Sequence, residues 1–284
     1  MKVIDKPRSW LRYRRPLLAP ALMAALLAGC ASQVVAPLST ESIAAIVASP
    51  DRSAADRNND IRRKPADMLA FIGVTPGMVT LDLSAGGGYT TELLARAVGP
   101  TGRVYGQNVP RDVANPPRQP LAREGNTAPA PTAAATPPVR RTLADRAASP
   151  ATSNIIPVQR KFEDPIPPEL KPGTLDLATL MFNYHDLGYQ GVDRAQMNRA
   201  VFAALKPGGF YVIADHSGRP GTGISESGTL HRIEEAFLRK EIESAGFRLA
   251  GEGIFLRNPS DPRDKNTPEP PQPKDEFVLK FVKP

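Results

Sequence analysis

The segment from Leu81 to Pro100, LDLSAGGGYTTELLARAVGP, constrains this chain more than any other. A short apolar run from Met78 to Leu83 leads into three consecutive glycines, Gly86, Gly87 and Gly88, and a helix-patterned stretch from Thr90 to about Ala97 follows at once. Glycine adopts positive φ without strain and lets the backbone approach a ligand closely. The start of the following helix carries N–H groups that lack an intrahelical partner and suit a polar or anionic group. A strand turning through glycines into a helix therefore cradles a ligand, and it calls for a parallel α/β sheet around it.

The rest of the chain supplies that sheet. Pro65 starts a helix whose apolar face is Met68, Leu69 and Ile72, and Gly73 ends it. Strands are expected at Met78–Leu83, Arg103–Gln107, Ile155–Arg160, Leu175–Phe182, Phe210–Ala214, Phe247–Phe255 and Glu276–Val282. Helical spacing appears at Glu41–Val47, Thr142–Ala147, Asp193–Leu205 and His231–Ala245. Strands that alternate with helices imply a mostly parallel sheet covered on both faces. The last two strands have no helix between them and are expected to pair as an antiparallel hairpin at the sheet edge. The fold class is thus α/β, Rossmann-like and doubly wound, with a seven-stranded, mostly parallel sheet and an antiparallel C-terminal hairpin.

Two stretches stand outside this pattern. From Val109 to Pro138, eight of 30 residues are Pro and seven are Ala. Such a composition buries too little apolar surface to offset its ordering entropy, so 109–140 is expected to be a flexible insertion. The run 51–64 is dense in charge and is expected to be a solvated helix face.

The amino terminus has the pattern of an address. A basic region, 1–15, precedes an apolar run from Pro16 to Gly29 that is shorter than the roughly 20 residues of a membrane-spanning helix. The run ends in Leu27-Ala28-Gly29-Cys30, and Cys30 is the only cysteine in the chain. Residues 1–29 carry six basic residues and one acid, so setting them aside takes the net charge from +7 to +2. Near neutrality there is no electrostatic case for a nucleic-acid partner.

The Leu81–Pro100 segment, the turn Leu205-Lys206-Pro207-Gly208-Gly209 and the terminal hairpin together resemble the class I S-adenosylmethionine-dependent methyltransferases over residues 65–284, apart from the insertion. FNYHDL (182–187), ADHS (214–217) and HRIEEA (231–236) resemble a bacterial group of predicted methyltransferases. The resemblance implies S-adenosylmethionine as cofactor. It implies that Asp82 orients the glycine turn, that Ser84, Ala85, Gly86 and Gly88 cradle the cofactor, and that Glu163 and Asp164 hold its adenine. Phe182 and Asn183 would face the sulfonium. Where the family carries an acid that grips the ribose hydroxyls, this chain has Asn108, which forgoes charge-assisted hydrogen bonds. The apolar run before Cys30 resembles a bacterial lipoprotein signal, which implies lipidation at Cys30. The domains are then a signal peptide (1–29), a tether with a helical extension (30–64) and the methyltransferase-like domain (65–284).

All three histidines lie in the C-terminal half. His185 and Asp186 follow the fourth strand, and Asp215 and His216 follow the fifth, so all four belong to the carboxyl rim where open α/β sheets bind ligands. A histidine beside a carboxylate suits proton removal near neutral pH, and Tyr184 adds a hydroxyl. His185, Asp186, Tyr184, Asp215 and His216 are the candidate catalytic residues. His231 is expected to anchor a loop. No two histidines share a helical face at ligand spacing, so no metal is assigned. Arg57 or Lys64 is the alternative cover for the cofactor's carboxylate.

The expected function is methyl transfer to a small or envelope-associated acceptor, by a protein anchored through a lipid and facing the periplasm. Ala31 and Ser32 favour the outer membrane. A non-catalytic binding module on the same fold is the alternative, and a metal-dependent hydrolase a weaker one.

Overall fold

β1 (Val79–Leu83) runs through the middle of a seven-stranded sheet in the order β3-β2-β1-β4-β5-β7-β6. Its Leu81 and Leu83 are wholly buried, as a strand covered on both faces requires. The flanking strands are β2 (Arg103–Asn108), β3 (Ile155–Gln159), β4 (Leu175–Met181) and β5 (Leu205–His216). All pair in parallel with their neighbours. β7 (Glu276–Val282) inserts antiparallel between β5 and β6 (Arg248–Gly253). The computed structural model describes residues 1–3, 36–111, 118–122, 141–266 and 272–284. Residues 35–284 form one compact unit and residues 1–34 another; the architecture is that of the first. Cys30 lies outside the described residues. Among the described residues, no helix is long and apolar enough to cross a membrane.

Helices cover the two faces with separate apolar layers. On one face lie α1 (Thr40–Val47), α3 (Pro65–Ile72), α4 (Tyr89–Val98) and α5 (Leu143–Ala147). Their Ile43, Met68, Leu94 and Leu143 pack with Val104, Leu177 and Val212 of the strands. On the other face α7 (Arg194–Ala204) and α8 (Glu235–Ser244) bring Met197, Val201, Leu238 and Ile242 onto Leu81, Leu175 and Tyr211. Adjacent residues of β4 divide accordingly, Leu177 to the first layer and Ala178 to the second, which is the period-two alternation of a strand.

Three local differences from the sequence pattern have physical causes. β5 begins earlier than Phe210, because Leu205 already pairs with Leu175 and residues 206–209 loop out as a bulge before Phe210 pairs with Leu177. The helix expected from His231 begins only at Glu235, because Ile233 bridges to Ser217 and the buried Arg232 guanidinium pairs with Asp261. α6 (Asp186–Gln190), five residues long, follows β4 and has no apolar periodicity to announce it. Within the insertion, residues 118–122 are described and are held against the fold: Ala122 N–H donates to the Gly228 carbonyl at 3.1 Å.

The charge run is a solvated face only in part: Asp51, Arg57 and Lys64 are exposed, but Arg52 and Asp56 are buried. It contains α2 (Ala54–Arg63), which Ser53 caps by accepting from the Asp56 N–H at 3.1 Å. Arg52 and Asp56 are each only 4% exposed. Arg146, on α5, grips Asp56 through two bonds of 2.9 Å, also pairs with Glu92 of α4, and donates from Nε to the Gly87 carbonyl at 2.6 Å. Burial opposes ionisation of Asp56, but Arg146 and Ser53 outweigh it and hold the carboxyl below its usual range. Arg52 forms a second fork onto Asp60, at 2.7 and 2.8 Å, and Asp60 accepts from the Tyr89 hydroxyl at 2.7 Å. α2 is thereby tied to α4 and to the glycine turn.

Arg146→Met is expected to lower stability by about 3–5 kcal/mol, because it leaves the buried Asp56 carboxylate without a cation and Glu92 with Arg96 alone. Urea unfolding followed by circular dichroism measures the loss. A change below ~1 kcal/mol would place the cluster in the class of exposed surface pairs.

Candidate active site

The carboxyl ends of β1, β4 and β5 deliver the site residues to one rim. Asp82 is 2% exposed and accepts from the hydroxyls of Thr91 and Thr179 at 2.6 and 2.7 Å. Burial pushes its carboxyl up from the usual 3.8 to about 6, against the pull of those hydroxyls. The turn that follows is fixed from within. The N–H groups of Ser84 and Gly86 donate to the side chains of Gln107 and Asn108, at 3.0 and 2.8 Å. Those of Ala85 and Gly88 donate to the carbonyls of Gln107 and Ala85, both at 2.8 Å.

The glycines of the turn have different reasons to be glycine. A Cβ on Gly88 would meet Leu143 at 2.8 Å and Arg146 at 2.9 Å, so its place in the cradle belongs to the packing of α5. A Cβ on Gly86 would meet only the Ser84 carbonyl, at 4.0 Å, and φ there is +56°. Gly86 is the exposed lip of the turn. Asn108 lies across it, because its amide also donates to the Gly86 carbonyl at 3.0 Å. Ala85 is half-buried beside it.

Three residues other than glycine hold left-handed backbone around this rim: Ser84 (φ 54°), Phe182 (φ 59°) and His231 (φ 52°). Such conformations persist only where surrounding contacts enforce them, and they gather at functional sites. The contacts form a chain. The Ser84 hydroxyl donates to Asn183 Oδ1 at 2.7 Å, and Asn183 Nδ2 donates to Asp186 Oδ2 at 2.9 Å. Asp186 Oδ1 lies 2.9 Å from His185 Nε2 and 3.1 Å from His231 Nδ1. Asp215 closes the chain, with Oδ1 2.6 Å from His185 Nδ1 and Oδ2 accepting from the His185 N–H at 2.7 Å. His216 packs its ring 5.3 Å from that of His185 and sets Nδ1 3.0 Å from Glu276.

His185 is wholly buried between two carboxylates. Burial alone favours the neutral ring, but Asp215 and Asp186 outweigh it and push its pKa up to about 10. The flanking carboxylates thus favour the protonated ring, which opposes a role for His185 as general base near neutral pH. Burial likewise opposes ionisation of Asp186, yet His185 and His231 hold its carboxyl well below the usual range.

Other expectations are redirected. Tyr184 falls in the layer of α7 and α8, where its hydroxyl accepts from Asn198 and donates to Glu241, both at 2.9 Å. Glu163 is occupied by the Asp193 N–H at 3.3 Å, and the exposed Asp164 pairs with Arg160. Arg57 and Lys64 donate to the carbonyls of Ser49 and Phe255, away from the turn. Their neighbours stand over the rim instead. Arg63 lies 4.2 Å from the Phe182 ring centre and 5.6 Å from that of Tyr89, and Arg62 reaches Glu276 at 2.5 Å. Glu276 enters the site because antiparallel pairing sets it opposite His216. Beneath Arg63, Tyr89 and Phe182 is a cavity of about 20 Å³, room for about one water. A larger groove of about 550 Å³, lined by Arg96, Arg103 and Asn154, lies at the amino ends of β2 and β3, away from the rim.

Two solved structures share this architecture. A SAM-dependent methyltransferase from Aquifex aeolicus aligns over 87% of this chain and all of its own, with 16% identity and a TM-score of 0.53. An S-adenosylmethionine-dependent methyltransferase from Mesorhizobium loti aligns over 79% of this chain and 99% of its own, at 16% identity and a TM-score of 0.50. At such identity the likeness establishes the shared fold, the Rossmann-like methyltransferase fold. No family model and no curated protein matches the sequence.

Asp82 supplies a pH test. Its folded pKa lies above its unfolded one, so the folded chain holds the extra proton between 3.8 and about 6. The stability this group contributes is fully present below that window and is lost as pH rises through it, by roughly 3 kcal/mol at about 1.4 kcal/mol per unit. Asp82→Asn is expected to flatten this component. Urea unfolding at about pH 4 and about pH 7 should show the wild type losing more stability than the variant, and equal losses would contradict the burial effect.

Proposed function

We propose that this chain is an S-adenosylmethionine-dependent methyltransferase. The observation that carries the reading is the open Gly86 lip at the carboxyl end of β1, inside the seven-stranded order of the methyltransferase fold. The site's residues fit such a donor in shape and charge. Gly86 leaves room for close backbone approach, Asn108 stands at the end of β2, and the guanidinium of Arg63 stands above Phe182. The cavity under Arg63 holds about one water, so the donor's bulk belongs along the exposed edge past Gly86 and Asn108.

When bound, the donor supplies an already activated methyl group. The protein's part is alignment, which converts a bimolecular displacement into an effectively unimolecular one. Ser84 and Asn183 fix the turn against the rim, and Phe182 offers its ring beside them. His185 lies between Asp186 and Asp215 and holds the two carboxylates in place. The acceptor is proposed to be a small or envelope-associated molecule. Export is proposed to precede lipidation at Cys30, which places the enzyme on the periplasmic side of the envelope, the outer membrane being favoured. Cys30→Ser is then expected to release the protein from membranes, read by fractionation.

A second reading, a binding module without catalysis, is favoured by one observation. Both polar atoms of the Asn108 amide are bonded to Gly86, so the side chain has one N–H and one lone pair left for a diol and is already oriented toward the turn.

Calorimetric titration of the purified chain with S-adenosylmethionine tests the first reading. One donor per chain is expected, and Gly86→Val is expected to weaken binding at least tenfold, because valine at this φ is strained and fills the lip. Asn108→Asp is expected to strengthen binding roughly tenfold, through charge-assisted bonds to the ribose. No heat and no thermal shift at millimolar donor would refute the enzyme.

A further inference from the structure

Three side chains from two separate stretches converge at the rim: His185 and Asp186, the N-cap and first residue of α6, and His231 in the segment before α8. One potential ligand atom from each lies within 4.8 Å of the others. Asp186 Oδ1 is 2.9 Å from His185 Nε2 and 3.1 Å from His231 Nδ1. Neighbouring ligands at bond lengths of about 2.1 Å around one ion are separated by about 3.0 Å at right angles and about 3.4 Å at tetrahedral angles. The two spacings to Asp186 Oδ1 are therefore close to those of adjacent ligands on a single cation.

Two further observations distinguish this cluster from an ordinary ion pair. First, His185 Nε2 is wholly buried and forms no hydrogen bond, since Asp186 Oδ1 at 2.9 Å stands out of line with the ring N–H. The atom stands beside the Asp186 carboxylate without a partner that satisfies it. Second, every member is oriented from behind by its other polar atom. Asp215 Oδ1 holds His185 Nδ1 at 2.6 Å, the Ala122 carbonyl holds His231 Nε2 at 2.7 Å, and Asn183 Nδ2 holds Asp186 Oδ2 at 2.9 Å. Carboxylate and carbonyl partners on the far ring nitrogen, with a hydrogen-bonded ligating carboxylate, are the supporting arrangement of metal centres. A loop anchor requires none of this threefold support.

We propose that His185 Nε2, His231 Nδ1 and Asp186 Oδ1 form a binding site for one divalent first-row transition-metal ion. Two imidazole nitrogens and one carboxylate oxygen suit zinc, iron(II), cobalt(II) or nickel(II), and are too rich in nitrogen for calcium or magnesium. Three protein ligands leave coordination positions for water or for an oxygen or nitrogen of a substrate. Asn183 connects this centre to the glycine turn through Ser84, so the ion would stand beside the proposed donor site. The site rests on side-chain geometry and not on the methyl-transfer reading, and each can fail without the other.

The test uses the full chain carrying Cys30→Ser, which removes the only thiol. After chelator treatment and dialysis, the protein is titrated with zinc chloride by calorimetry and with cobalt(II) chloride by visible absorption. One zinc per chain is expected. His231→Gln and Asp186→Asn are each expected to weaken binding at least tenfold, and Asp215→Asn about tenfold through loss of support behind His185. Folding of each variant is checked by circular dichroism. Should these variants not fold, copper(II) electron paramagnetic resonance on the unsubstituted site decides, with nitrogen hyperfine structure from two imidazoles expected. The chain has three histidines, and His216 is set against Glu276, so a two-imidazole signal points to His185 and His231. No zinc binding at 100-fold excess over protein, affinity unchanged in folded His231→Gln and Asp186→Asn, or a copper spectrum without two nitrogens would each overturn the site.

Discussion

The Arg146 clasp organises the upper half of this molecule. A single guanidinium joins Asp56 of α2, Glu92 of α4 and the Gly87 carbonyl of the glycine turn. Each of these groups would be costly to bury alone, and together they satisfy one another. The consequence is positional. α2 is a polar helix with little apolar surface to press onto the sheet, yet its ion pairs hold it above the rim. From there Arg62 and Arg63 reach Glu276 and Phe182. A chain with the same strands but without Asp56 or Arg146 would build the sheet and lose the cover over its carboxyl edge.

The carboxyl edge repeats the same logic at the centre of the site. Asp215 is fully buried and satisfied by the backbone N–H groups of His185 and His216 as well as by the His185 ring. These bonds fix where β4 and β5 end relative to each other. The left-handed turn at Phe182 then sends Asn183 toward Ser84 and Tyr184 toward α7 and α8. Strain at Phe182, and at Ser84 opposite, is held by a bonded pair across the gap between β1 and β4. That pair joins the glycine turn to the histidine cluster, so movement of one would be felt by the other.

Much of the fold was legible because apolar periodicity and glycine–proline punctuation are local signals. β1, β4 and α4 lie where the apolar runs put them, and the missing helix between the last two strands is the reason β7 pairs antiparallel with β6. The site was legible only where strand ends determine it, as with His185, Asp186, Asp215 and His216. What depended on pairing register was hidden. Glu276 becomes a partner of His216 only because β7 aligns with β5 at that residue. Arg62 and Arg63 look like any basic residues in a charged helix until the ion pairs of α2 orient them. Gly86 and Gly88 are alike in sequence; the approach of α5 to one of them separates a packing glycine from the exposed lip. Ala122 contributes a carbonyl, a group every residue carries, so no sequence signal could have marked its contact with His231.

The histidine cluster and the Arg146 clasp differ in one respect that bears on chemistry. In the clasp, the permanently charged guanidiniums of Arg146 and Arg96 face the carboxylates of Asp56 and Glu92, so the compensating charge is permanent. At the rim, Asp186 and Asp215 face His185, whose charge depends on a bound proton. With that ring neutral, the two carboxylates would lose its compensating charge, which a low-dielectric interior resists. The site therefore demands a positive charge at the His185 Nε2 position. A proton can supply it, and Asp215 and Asp186 raise the ring's pKa by favouring that proton. A divalent ion supplies it with one more charge and with open coordination positions. Proton and metal compete for the same nitrogen, and the orientation from behind by Asp215, Ala122 and Asn183 serves both. The out-of-line approach of Asp186 tips this balance: it is a poor acceptor for a proton on Nε2, but an adjacent oxygen ligand need not lie on the ring's axis, because the ion occupies that axis itself.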